Sequence, residues 1–159
     1  MSATGARRLG WRAALVVAAV LGGGVAQAQL LAEVLTTTAI SATFDSAVRF
    51  PSGSLRAVGE GVDTLARRLP GASQWGDWEG YVARGLAANL KPAFVHNVIT
   101  SFAVAGYFED SRETRTVEGP AGTETQTKIV FFDMMGSRMH VLYVIEAGEE
   151  VVWLIGHVK

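Results

Sequence analysis

The sequence predicts an α+β fold in which N-terminal helices pack on one face of a C-terminal four-stranded antiparallel β-meander. Two observations lead to this prediction. Up to residue 105, apolar residues recur at the three- and four-residue spacing of a helix, whereas runs rich in Val, Ile, Thr and aromatic residues follow from residue 107. Short glycine-bearing links at 134–137 and 147–149 separate the last three runs, and links of this length join antiparallel neighbours. Helices followed by strands in this way are typical of the α+β class.

The N-terminus has the pattern of a secretory signal peptide. A cationic start precedes an apolar run at 13–21 and a small-x-small site at 26–28, and we expect cleavage after Ala28. Because a membrane-spanning helix needs about 20 apolar residues, the run is too short for a stable anchor. The protein is therefore expected to be periplasmic or extracellular. The pair Arg7 and Arg8 leaves the export route open between the general secretory and the twin-arginine pathways.

The remaining residues, 29–159, have the composition of one globular domain. The chain is 49 % hydrophobic and 18 % charged, a balance that supports a buried core. It contains no cysteine, so neither a disulfide nor a lipid-bearing cysteine is available. All 15 acidic residues follow the predicted signal peptide, whereas three of the 14 basic residues lie within it, so the exported domain is mildly acidic. This charge argues against nucleic acid or an anionic membrane as the main partner.

The helices are expected at about 30–48, 54–69, 77–90 and 92–105. In the first, the β-branched residues 36–38 leave helix and strand open. The second and third carry apolar stripes at helical spacing, and Pro70 ends the second. The fourth begins near Pro92 and ends near Gly106, where a first helical turn and a helix end prefer these residues.

The strands are expected at about 107–118, 123–133, 138–146 and 150–158. A two-residue loop at 148–149 places His157 opposite His140, and a four-residue loop at 134–137 places Phe131 opposite His140. The more uniformly apolar face of the resulting sheet is assigned to the helices. It carries Val130, Phe132, Met139, Val141, Tyr143, Ile145, Val152, Leu154 and Val158.

The other face of the sheet carries an apolar strip that these helices would leave uncovered. The strip consists of Phe131, Leu142, Val144, Trp153 and Ile155. Exposed patches of this kind mark interaction or oligomer sites, and an open sheet edge offers strand addition. The sequence therefore predicts a non-enzymatic protein- or peptide-binding or assembly module of the cell envelope. Its partner is a protein, a peptide or a second copy of the chain, and no cofactor is expected.

The alternative function is that of a small secreted metal-dependent enzyme or metal-binding factor. On the predicted register, His140 and His157 are cross-strand neighbours and Asp133 lies on the diagonal. Two imidazoles and a carboxylate suit zinc or non-haem iron. Against this hypothesis, Asp133 can form an ion pair with Arg138, and a register slip of one residue would place the histidines on opposite faces.

Other chemistry-bearing residues predict no reaction. Ser137 is close in sequence to the histidine site, but it does not lie in a nucleophile elbow. The acidic residues of 109–118 alternate with arginines, as in an exposed strand with charge pairs. An aromatic group is assigned to the packing of a helix start on the sheet, with sugar stacking as the alternative. This group consists of Trp75, Trp78 and Tyr81.

Overall fold

The described part of the chain folds into an antiparallel sheet that carries one α-helix on each face. The computed structural model describes residues 35–39, 45, 47–119, 122–135 and 138–158. The predicted signal peptide lies outside these residues. The strands are β1 (Thr36–Ala39), β2 (Leu55–Val58), β3 (Trp75–Ala83), β4 (Tyr107–Gly119), β5 (Gly122–Asp133), β6 (Met139–Ala147) and β7 (Glu150–Val158). The helices are α1 (Glu60–Arg67) and α2 (Lys91–Val104), and a short 3-10 helix (Ala72–Gln74) precedes β3.

The seven strands of the described residues form one sheet in the order β1-β2-β3-β7-β6-β5-β4. All neighbouring strands are antiparallel. The pairing of β3 with β7 joins the two halves of the chain, so the first three strands extend the sheet formed by the last four. This leaves β1 at one edge and β4 at the other.

The predicted fold class, with N-terminal helices on one face of a C-terminal four-stranded meander, is wrong. The segments predicted as helices at 30–48, 54–69 and 77–90 contain β1, β2 and most of β3, and α1 is limited to eight residues. In β3, two glycines disfavour a helix, and three aromatic residues favour a strand. The last four residues of β3 are all buried, so the alternation of apolar and polar residues that indicates a strand is missing there. Of the four predicted helices, the one at 92–105 matches an observed helix, α2, most closely.

Both faces of the sheet are covered by apolar side chains. On the α1 face, Val62 and Leu65 of α1 pack on a core whose sheet residues include Val130, Val141, Tyr143, Ile145, Val152 and Leu154. On the α2 face, Val98 and Phe102 of α2, together with Val48, pack on a core whose sheet residues include Tyr81, Ile129, Phe131, Leu142, Val144, Trp153 and Ile155. The molecule therefore has three layers, with the sheet in the middle.

The register of the last three strands agrees with the sequence analysis. His140 is opposite His157 across β6 and β7, and Phe131 is opposite His140 across β5 and β6. Neither helix that the structure describes has the length and apolar character needed to cross a membrane.

Candidate functional site

The apolar strip predicted to bind a partner is buried beneath α2. Its five residues are each at most 2 % exposed: Phe131, Leu142, Val144, Trp153 and Ile155. Phe102 of α2 stacks on Phe131 with ring centroids 4.8 Å apart, and Phe50 packs edge-on against Trp153 at 5.6 Å. The prediction that these residues form an open surface is therefore wrong. The helix that the sequence analysis placed on the opposite face covers them.

His140 on β6 and His157 on β7 meet as the predicted register requires. Their Nδ1 atoms are 2.8 Å apart, and the two rings are nearly perpendicular at 85°. Burial lowers the pKa of His140, and the neighbouring His157 lowers it further, whereas Asp133 acts in the opposite direction. A hydrogen bond between two Nδ1 atoms requires one Nδ1 to carry a proton and the other to accept it, so the two Nδ1 atoms share a single proton.

Asp133 does not complete a metal site with these histidines. Within the part of the chain that the structure describes, no three His, Cys, Asp or Glu side chains are grouped so that they could hold a metal ion. The backbone N–H of Asp133 closes the turn to β6 by donating to the carbonyl of Arg138 at 3.1 Å. Two imidazoles provide fewer protein ligands than the three of a catalytic zinc site.

The aromatic group near β3 belongs to the packing of the sheet. Trp75 and Tyr81 are buried, and Trp78 is partly buried. The six-membered ring of Trp78 lies against Gly156 of β7, where a Cβ would be only 2.7 Å from the ring. This contact explains why residue 156 is a glycine. Ser137 lies outside the described residues.

β4 forms an edge of the sheet, and no described strand pairs with its outer side. A bulge at Asp110 interrupts its pairing with β5, and a regular stretch follows from Ser111 to Gly119. Residues 108–116 are all exposed. The outward backbone N–H and C=O groups of such an edge strand are free to pair with another chain.

The charged side chains of β4 are divided between the two faces of the sheet. Arg112, on the α2 face, forms an ion pair with Glu109. Glu113 and Arg115 lie on the α1 face. Arg115 donates from Nε and Nη2 to Oε1 of Gln126, at 3.0 and 2.7 Å. Glu113 forms no ion pair or hydrogen bond with another residue of the described chain.

A pocket of about 160 Å³ lies on the α1 face, beside the loop that contains Pro70. Three of its lining residues, Glu113, Lys128 and Tyr143, are directly opposite one another on β4, β5 and β6. The hydroxyl of Tyr143 donates to the carbonyl of Pro70 and thereby ties the loop to the sheet. Burial of the phenol, and to a smaller extent the negative charge of Glu113, raises the pKa of Tyr143 to about 12. The phenol is therefore neutral at physiological pH.

Lys128 is the more buried of the two cations that line this pocket. It is partly buried, and it has no ion-pair or hydrogen-bond partner among the residues that the structure describes. The loop passes close to its ammonium group: Gly71 has a φ of 71°, and a Cβ there would be 3.3 Å from Nζ. Withdrawing a cation from water without a partner is unfavourable, so Lys128 would gain from a bound anion.

The sequence alone did not reveal this pocket, although part of the signal was present. The predicted register of β5 and β6 already implies that Lys128 is opposite Tyr143, as the structure shows. The loop at 70–71 was assigned as the mere end of a helix. The position of this loop over the sheet depends on how α1 packs on the sheet, and no local sequence pattern specifies that packing.

The fold and these sites define a small three-layer α+β domain with an open sheet edge. Comparison with known proteins adds no family to this description: no protein family, no curated protein and no solved structure matches the chain.

Proposed function

We propose that this protein is an exported, non-enzymatic assembly module of the cell envelope whose partner adds a strand to the outer edge of β4. The observation that carries the proposal is the open edge itself. β4 ends the described sheet, and residues 108–116 are exposed. Exposed edge strands are templates for strand addition. The apolar strip cannot serve this purpose because α2 covers it.

The charge pattern of β4 favours a second copy of the chain as the partner. When two β4 strands pair antiparallel about a twofold axis at Thr114, Glu113 of each copy is opposite Arg115 of the other. Both side chains lie on the α1 face, so they become cross-strand neighbours in two equivalent pairs. An axis at Glu113 or at Arg115 would instead place like charges opposite each other, which is destabilising.

The local structure of β4 suits the same register. The stretch paired about Thr114 is 111–117, which lies between the bulge at Asp110 and the end of the strand at Gly119. Arg115 uses two of its five N–H donors on Gln126, and three remain for a partner carboxylate. Charged edge strands resist indiscriminate pairing. The charges of β4 therefore disfavour the registers centred at Glu113 and Arg115 and favour the one centred at Thr114, in which opposite charges meet.

Charge reversal with complementation tests this proposal. Glu113→Arg places arginines opposite each other in both pairs, and Arg115→Glu places glutamates there. Each variant should raise the dissociation constant of the dimer by about tenfold or more, as measured by sedimentation velocity. Mixed in equal amounts, the two variants should form a heterodimer, because each supplies the charge that the other lacks.

Glu149→Arg is the matched control, because it makes the same charge change in the exposed turn between β6 and β7. It should dimerise as the wild type does. In hydrogen exchange, the outward amides of 111–117 should be protected in the dimer and unprotected in the Arg115→Glu monomer. A wild-type chain that stays monomeric at every concentration, or a mixture that stays monomeric, would refute assembly through β4.

Export is the second part of the proposal, and it is supported by the pattern of residues 1–28. The intact mass of the protein recovered from the envelope fraction should correspond to a chain that begins at Gln29. A chain that retains Met1 and remains in the cytoplasmic fraction would contradict export without affecting the argument on the β4 edge.

A further inference from the structure

We infer that the pocket beside the Pro70 loop binds a short aliphatic monocarboxylate, which Lys128 and Arg115 hold by its carboxylate group. The pocket is lined by Pro70, Glu113, Thr114, Arg115, Gln126, Lys128 and Tyr143. This inference does not require assembly through β4, although Glu113 and Arg115 take part in both proposals.

Two cationic side chains provide the donors for a carboxylate. The ammonium of Lys128 has no partner within the described residues. The guanidinium of Arg115 is oriented by two hydrogen bonds to Gln126 and keeps further N–H donors. Charge-assisted hydrogen bonds from such groups to a carboxylate are about twice as strong as bonds between neutral groups. A bound carboxylate would therefore give the ammonium of Lys128 the hydrogen-bond partner that it lacks among the described residues.

The remaining lining residues restrict the charge of the ligand. Glu113 places a carboxylate beside the two cations, so the three charged side chains carry a net charge of +1. This balance favours a monoanion over a dianion such as phosphate. The hydroxyl of Tyr143 already donates to Pro70, which leaves the anion to Lys128 and Arg115.

The size and walls of the pocket restrict the rest of the ligand. Its volume of about 160 Å³ is close to that of a protein cavity of about 150 Å³ that holds benzene, a ligand of six non-hydrogen atoms. The rings of Pro70 and Tyr143 offer apolar surface for a hydrocarbon tail. Butyrate, with four carbons and two oxygens, has about this size and is the probe of choice.

A titration of ¹⁵N-labelled protein with butyrate, followed by two-dimensional NMR, tests the inference. The amide signals of 71, 113–115 and 126–128 should shift and saturate, and butyramide, the neutral isostere, should not reproduce the effect. Lys128→Met removes the charge but keeps the aliphatic stem, and it should weaken binding at least tenfold. Lys128→Arg keeps the positive charge, so this variant should still bind butyrate. Glu113→Gln, which removes the competing carboxylate, should bind several-fold tighter.

Lys91→Met is the control for net charge. Lys91 lies at the start of α2, bonds to the carbonyl of Gly148, and does not line the pocket. This variant should bind butyrate as the wild type does. Equal binding of butyrate and butyramide, or unchanged binding in a folded Lys128→Met variant, would overturn the carboxylate site. Tighter binding of phosphate than of butyrate would overturn the assignment to monocarboxylates.

Discussion

Replacement of Leu142 by alanine tests whether the predicted strip is core or surface. Leu142 is fully buried on the α2 face. The change removes three carbon atoms, each worth about 0.8 kcal/mol in transfer free energy, and leaves a cavity that adds to the cost. Buried Leu→Ala substitutions cost about 2–5 kcal/mol in this way, whereas exposed ones stay within about 0.5 kcal/mol. We expect the free energy of unfolding to fall by about 3 kcal/mol.

Urea unfolding followed by tryptophan fluorescence measures this loss. With a slope of about 2 kcal/mol per molar urea, the midpoint should fall by about 1.5 M. Leu90→Ala is the matched control, because the chemical change is the same but Leu90 is 50 % exposed just before α2. Its midpoint should stay close to that of the wild type. If Leu142→Ala and Leu90→Ala have the same urea midpoint, α2 does not cover this face and the three-layer arrangement is refuted.

Two further predictions concern β7 and its neighbours. The pKa of His140 is lowered below its ordinary value of 6.5 in the folded chain. As the pH falls through this value, the imidazole is therefore protonated in the unfolded chain before it is protonated in the folded chain. The free energy of unfolding should therefore decrease between about pH 7 and pH 5, and His140→Gln should flatten this dependence in urea titrations; an identical slope in the variant would contradict the burial of the imidazole. Gly156→Ala places a Cβ 2.7 Å from the ring of Trp78, so the free energy of unfolding should fall by about 1–3 kcal/mol. An unchanged thermal midpoint would show that Trp78 does not pack against Gly156.

The contact between the two histidines shows how much a short turn determines. A two-residue loop at 148–149 was sufficient to predict that His140 is opposite His157, because a tight turn sets the register of the strands it joins. The information lies within about 20 consecutive residues. The consequences of that register, including which side chains share a face, follow from the alternation of side chains along a strand.

The strands of the N-terminal half required information that lies elsewhere in the chain. The segment containing β3 has apolar residues at helical spacing, and burial of its last four residues hides the alternation of a strand. Its neighbour in the sheet is β7, at the far end of the sequence. Because β-structure depends on such distant partners more than on local preference, helix and strand were not separable there.

By itself, the sequence determined the mild acidity and the register of the last strands, and it predicts the export signal, since each depends on composition or on residues close together in the chain. Only the tertiary structure decided which helix covers which face of the sheet, and this decision turned the predicted strip into core. The pairing of β3 with β7 likewise left β4 at an edge of the described sheet. The pocket at Lys128 has the same origin. It requires the loop after α1 to pass over strands some 60 residues away, and no local pattern specifies a contact between segments so far apart.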